Sequence, residues 1–308
     1  MTPLRSALRE YISLRRDMGF KFQNQEKRLT KFVTFMEERR SSKITYKLAI
    51  QWATQPADRH ATWSLRLTDV RGFARYLQGI GVDAEIPPTE ALPGLRRSKP
   101  YVYSDAEVLK LLAAALALPP SDALRRWTYY SLFGLLAVTG LRISEALSLR
   151  HDDVDLEAGV LTIRSTKFGK SRLVPLHPTS LCRLRKYAKQ RDTHIPHPRT
   201  SFFFVAERGG RLLLQYVYRV FWRLSRETGL RRTTDHGGPR LHDFRHRFAV
   251  HTLLSWYRSG QQIEVLLPML STYLGHTCVR DTYWYLSACP ELMEHAARRL
   301  ESRRGGAS

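Results

Sequence analysis

The chain has 308 residues, and 50 Lys and Arg against 28 Asp and Glu leave a formal net charge of +22. That excess points to a polyanionic partner, and a composition 43% hydrophobic and 11% aromatic supports packed cores, which excludes a disordered basic tail as its source. No run of about 18 uncharged apolar residues occurs, the basic N-terminus lacks the apolar core of a signal peptide, and Cys182, Cys278 and Cys289 are too few and scattered for a disulfide framework; a reduced, cytoplasmic protein with no membrane partner is expected.

At roughly 150 residues per domain the length suggests two. Residues 1–83 carry apolar residues at three- and four-residue spacing in "LRSALREYISLRRDMGF", "NQEKRLTKFVTFMEERR", "TYKLAIQWAT" and "TWSLRLTDVRGFARYLQGIG", which predicts an all-helical N-terminal domain. In the fourth segment Leu67, Val70, Phe73, Ala74 and Leu77 share one face, and Arg66, Arg71 and Arg75 fall elsewhere, where they could touch phosphates. Residues 84–100 follow, with four prolines and a glycine in "DAEIPPTEALPGLRRSKP" and no apolar period, and read as a linker. Arg96 and Arg97 in it are candidate DNA-backbone contacts.

The third part, 101–308, is mainly α with a small β-hairpin, an α+β domain. "SDAE" at Ser104 has the spacing of a capping box, and "TYYSLFGLLAVTG" is a long apolar helix that Gly140 should end. Arg142 then sits in "TGLRISEAL" at the junction to a helix beginning near Ser144 and Glu145, aimed by both elements. "DDVD" at 152–155 reads as a solvated turn rather than a metal site. Alternation through Val160 and Thr162, and again through Leu173 and Pro175, predicts a hairpin around "STKFGKS", with Lys167 and Lys170 at or beside its tip. Further on, "LHDFRHRFAVHTLL" puts His242 and Arg245 on one helix face, with Phe248, Ala249 and Leu253 as its apolar side. A forked donor beside an imidazole suits a phosphate.

The histidines at 242, 246, 251 and 276 invite a metal reading, but the HExxH glutamate and any CxxC pair are missing, so neither metal nor cofactor is expected. Near the C-terminus, "YLGHTCVRDTYWYL" sets His276 nine residues before Tyr285, with Tyr283 and Trp284 beside it. Residues two apart on a helix point about 200° apart, so Tyr283 and Tyr285 cannot both face one phosphate. The amphipathic tail "PELMEHAARRLESRR" has Leu292, Ala296, Ala297 and Leu300 at helical spacing.

In order, "TGLRISEAL", a hairpin lysine, "HDFRH", "LGH" and a tyrosine nine residues further on resemble the tyrosine recombinase (phage integrase) family. The resemblance spans the chain and implies a helical core-binding domain, a linker and a catalytic domain. By position it implies catalytic roles for Arg142, His242, Arg245, His276 and Tyr285. Anchoring on "RLVPL" favours Lys167 over Lys170 as the lysine, and spacing from "LGH" favours Tyr285 over Tyr283, which is then the core residue. The segment between Arg245 and His276 is longer than the family pattern, which suggests an extra loop or helix end near Tyr285. The implied chemistry cleaves DNA through a 3′-phosphotyrosyl link without metal or ATP. The implied partners are double-stranded DNA, both element ends and target, four protomers on two duplexes, and accessory recombination proteins. An integrase or transposase of a prokaryotic mobile element, acting at the nucleoid, is the reading. The alternatives are a catalytically silent DNA-binding accessory factor and a type IB topoisomerase; a basic RNA-binding protein would call for an RNA module that is not found.

Overall fold

The computed structural model describes residues 2–55, 60–94, 100–164, 171–232, 234, 238–276, 278–288 and 291–294. The chain divides into two compact units, 1–98 and 99–308. Among the described residues no helix is long and apolar enough to cross a membrane.

The first unit holds helices α1 (Pro3–Asp17), α2 (Gln23–Glu38), α3 (Tyr46–Thr54) and α4 (His60–Gly79). Thr2 caps α1, with a proline in the first turn, and Thr45 caps α3. The α4 face read from the sequence, Leu67, Val70, Phe73, Ala74 and Leu77, is fully buried against Leu29, Phe32, Met36 and Trp52. Of the three α4 arginines, only Arg75 is exposed. Arg71 is buried and donates from Nε to the Pro87 carbonyl at 2.7 Å and from Nη2 to that of Pro88 at 2.6 Å, which corrects its reading as a phosphate contact. Arg66 lies over the Trp52 ring and donates to the Trp52 carbonyl at 2.6 Å. The same contacts hold the proline-rich stretch on this unit: Ala84 bridges to Ile44, and Ala91 and Leu92 pack on the core. Arg96 and Arg97 lie outside the described residues.

The second unit is mainly helical. Ser104 forms the expected capping box at the start of α5 (Asp105–Leu116). Helix α6 (Leu124–Thr139) is apolar on nearly every side and ends at Gly140 with φ +61°. A Cβ there would lie 2.7 Å from Phe248 Cδ1, so position 140 is closed to side chains both by conformation and by space. One turn, α7 (Ile143–Ala146), follows.

A three-stranded antiparallel sheet comes next, β1 (Val154–Asp155), β2 (Val160–Ile163) and β3 (Arg172–Pro175). Thr162 pairs with Leu173 and Val160 with Pro175, the hairpin predicted from alternation, while Leu161, Ile163 and Val174 enter the core. The sequence reading missed β1 and took "DDVD" for a solvated turn. Asp153 is instead buried; its carboxylate accepts from the Arg150 N–H and pairs with Arg164, and Val154 begins the edge strand. Lys167 and Lys170 lie outside the described residues.

Helices α8 (Pro178–His194), α9 (Leu214–Glu227), α10 (Asp243–Arg258), α11 (Ile263–Leu274) and α12 (Arg280–Ala288) complete the unit. Helix α10 joins two cores: Phe244 belongs to the large cluster built on α5, α6, α8 and α9, whereas Ala249, Val250 and Leu253 belong to a second one with α11, Tyr285 and Leu292. Arg245 therefore sits where the two cores meet, 1% exposed. The long stretch from Arg245 to His276 is taken up by the rest of α10, a short turn and α11.

Gly140→Ala is expected to cost about 1–3 kcal/mol for forced positive φ, and more for displacing Phe248. Urea unfolding of the whole chain should show the lowered midpoint; an unchanged midpoint would mean that α6 ends without this constraint.

Candidate active site

The site forms where α6 and α11 end. Both terminate in a glycine with positive φ, Gly140 and Gly275, and turn unpaired carbonyls toward one point. Arg245 donates from Nη1 to the Gly140 carbonyl at 3.0 Å and from Nη2 to that of Leu274 at 2.6 Å. Arg142, just past Gly140, donates from Nη2 to the Gly275 carbonyl at 3.0 Å and makes a long contact to that of Leu274, 3.5 Å from Nη1. Two guanidinia thus share one helix end, whose dipole is negative. The Arg245 pKa falls to about 10, chiefly through burial and then through the charge of Arg142.

The carboxylate of Glu145 supplies the countercharge. It is buried, accepts from Arg142 Nη1 at 2.8 Å and from the Arg142 backbone N–H at 3.0 Å, and meets Arg172 on β3 through both oxygens at 3.1 and 2.8 Å. Burial alone would raise its pKa, but Arg172 and then Arg142 hold it below the ordinary value.

His276 follows Gly275 directly, and its Nδ1 lies 2.7 Å from the hydroxyl of fully buried Thr282. With that hydroxyl donating, the ring proton stays on Nε2 as a donor. His242 occupies the position before α10 in helical backbone geometry and is exposed. His246, one turn on, is buried, and its ring stands 4.8 Å from His242, 5.0 Å from Trp284 and 5.4 Å from Tyr285, centroid to centroid. All three imidazoles titrate below the ordinary value, through desolvation first and then through neighbouring positive charge. His276 falls to about 4 and His246 to about 3. They add no charge at neutral pH.

Tyr285 is 2% exposed, with its ring stacked on His276 at 6.0 Å. Desolvation raises its pKa; against this, Arg245 favours the phenolate by charge and by a side-chain hydrogen bond. Tyr283 is 54% exposed, the reverse of its reading as the core residue. The reason is phase: Thr282 and Tyr285, three apart, face α10 and α11, and position 283 falls on the opposite side of α12. The structure therefore brings together five predicted residues, Arg142, His242, Arg245, His276 and Tyr285. Sequence reasoning missed Arg172, His246 and Thr282 as parts of the site. Their signals were spacing alone: Arg172 opens the "RLVPL" strand, and His246 lies one turn after His242.

A group with a depressed histidine pKa favours the fold above the ordinary value of 6.5 and loses that advantage as pH falls, because the unfolded chain takes up the proton first. Unfolding free energy should therefore drop between pH 6.5 and about 4, where His276 titrates, and on toward about 3, where His246 does. His246→Phe should flatten that slope in chemical denaturation series; an equally steep slope in the variant would show that His246 contributes nothing to it.

Residues 103–291 match the model of the phage integrase family. A putative integrase/recombinase, y4rB of Sinorhizobium fredii (strain NBRC 101917 / NGR234), is 48% identical over 98% of both chains. The tyrosine recombinase XerD of Mycobacterium tuberculosis (strain ATCC 25618 / H37Rv) is 33% identical over 71% of this chain and 67% of its own. Among solved structures, the Tn1549 transposon integrase in complex with transposon right end DNA superposes with a TM-score of 0.68 at 18% identity, covering 98% of this chain and 99% of that one.

Proposed function

Since the chain belongs to the phage integrase family, and so to the tyrosine recombinases that cleave and rejoin DNA in site-specific recombination, we propose that Tyr285 is its nucleophile and that it moves a mobile DNA element. The observation that carries the reading is the convergence of Arg142, Arg245 and His276 on one helix end beside the Tyr285 ring.

In this reading the two guanidinia exchange part of their carbonyl contacts for the non-bridging oxygens of the scissile phosphate. They neutralise the charge that builds up in the pentavalent transition state. His276 donates a further hydrogen bond from Nε2. The Tyr285 hydroxyl attacks phosphorus and its proton passes to His242, directly or through water; an imidazole with a lowered pKa is neutral at pH 7 and able to accept it. The P–O5′ bond breaks, and the departing 5′-oxygen takes a proton from Lys167. A 3′-phosphotyrosyl bond now stores the energy of the phosphodiester. A 5′-hydroxyl from another duplex attacks it in the reverse reaction, so strands rejoin without ATP. Because Tyr285 starts buried and protonated, the phosphate must seat first. Cleavage is then confined to bound DNA.

The first unit, with the stretch to residue 100, serves as the core-binding domain and linker, and the second as the catalytic domain. Four protomers act on two duplexes, the element ends and the target. Accessory proteins assist, and the work is done at the nucleoid. The mobile-element role leans on the y4rB relative and the Tn1549 likeness.

The test is covalent trapping on nicked duplexes that tile the DNA flanking this gene in its genome, incubated in EDTA and resolved on denaturing gels with peptide mass spectrometry. A 3′-linked adduct on Tyr285 is expected, absent in Tyr285→Phe and retained in Tyr283→Phe. An adduct on Tyr283 would move the nucleophile, and tight, salt-sensitive DNA binding with no adduct on any duplex would favour the accessory-factor reading.

A further inference from the structure

Arg172 takes no part in the chemistry above, yet its side chain is 9% exposed and ties three elements together. It stands on β3, on the strand that leads back from the hairpin tip. Nε donates to the Tyr273 carbonyl in the last turn of α11 at 2.7 Å, and both terminal nitrogens hold Glu145 behind Arg142. The fit is close, since a Cβ on Gly275 would lie 2.7 Å from Arg172 Nη1. Three guanidinia, of half-buried Arg142 and of buried Arg172 and Arg245, thus stand together, and among the described residues Glu145 is the carboxylate that bonds to them. An excess of two positive charges faces the place of the phosphate.

We propose that Arg172 is a positioning residue that acts through Glu145: by engaging both carboxylate oxygens it leaves the Arg142 guanidinium charged and aimed, and it anchors the hairpin to the end of α11. This rests on the reading of Arg142 as a phosphate ligand. Without Arg172, Glu145 has one partner instead of two and neutralises it, so the site loses half of its excess charge. A planar fork is needed to meet two oxygens and a carbonyl at once, which lysine cannot supply.

The inference separates charge from packing. Arg172→Gln should slow single-turnover cleavage of whichever nicked duplex the wild type cleaves by about 10-fold or more, with DNA affinity by anisotropy changed less than about 3-fold. Adding Glu145→Gln removes the negative charge as well and restores the excess of two. The double variant should regain most of the lost rate, while Arg172→Lys, which keeps charge without the fork, should fall between. A purely structural role would not be rescued by a second change in the same buried cluster. Arg172→Gln cleaving at the wild-type rate would overturn the proposal. So would a folded double variant, checked by thermal melting, that cleaves no faster than Arg172→Gln. Arg142→Gln distinguishes the parent reading: if it cleaves normally, Arg142 is no phosphate ligand and both fall, whereas an inactive Arg142→Gln with no rescue in the double variant sinks only the role of Arg172. A wild type that cleaves none of the flanking duplexes sinks both.

Discussion

Holding two like charges beside each other, one of them buried, is the constraint on which this site depends. Arg142 and Arg245 repel, and Arg245 is almost wholly withdrawn from water. Arg245 could not stay charged there without partners. The partners come from the ends of two helices. The carbonyls of Gly140, Leu274 and Gly275 have lost their helical donors and carry the negative end of the helix dipole. Glycine at both ends makes the approach possible, because a side chain at either position would meet Phe248 or Arg172. Glu145 adds a full negative charge bonded to Arg142. The arrangement is poised rather than satisfied, since an incoming phosphate offers stronger acceptors than the carbonyls do.

The imidazoles answer to the same field. Set among guanidinia and partly stripped of water, His242, His246 and His276 are held neutral, so they serve as donors and acceptors without adding to the repulsion. Tyr285 is governed by two opposed effects, burial that favours the phenol and Arg245 that favours the phenolate. In the proposed mechanism, a tyrosine kept protonated until a base and a phosphate are both in place suits an enzyme that must not cut stray DNA.

Much of this was legible in the residues. The cap at Ser104, the glycine stop at 140, the buried face of α4 and the pairing of Thr162 with Leu173 follow from local rules of capping, turn geometry and period. His242 and Arg245 were paired by helical spacing. The misreadings have local causes too. "DTYWYL" is aromatic on every side of its helix, so apolar period cannot set its phase, and Tyr283 was assigned to the core that Tyr285 occupies. Arg71 looked like any surface arginine until the carbonyls of Pro87 and Pro88 came to meet it. Asp153 was read as solvated because its partner, Arg164, lies 11 positions on, just past the end of β2.

The sequence by itself determined a basic protein of two parts, the order of the residues proposed to handle phosphate, and the helix end at Gly140. Those depend on side-chain type and on neighbours within a few positions. Only the tertiary structure decided which tyrosine turns inward, that one helix end binds both arginines, and that Arg172, 30 positions from Arg142 in the chain, shares a carboxylate with it. Those depend on α6, β3, α11 and α12 meeting at a single point, and a meeting of distant segments leaves no period in the sequence to be read.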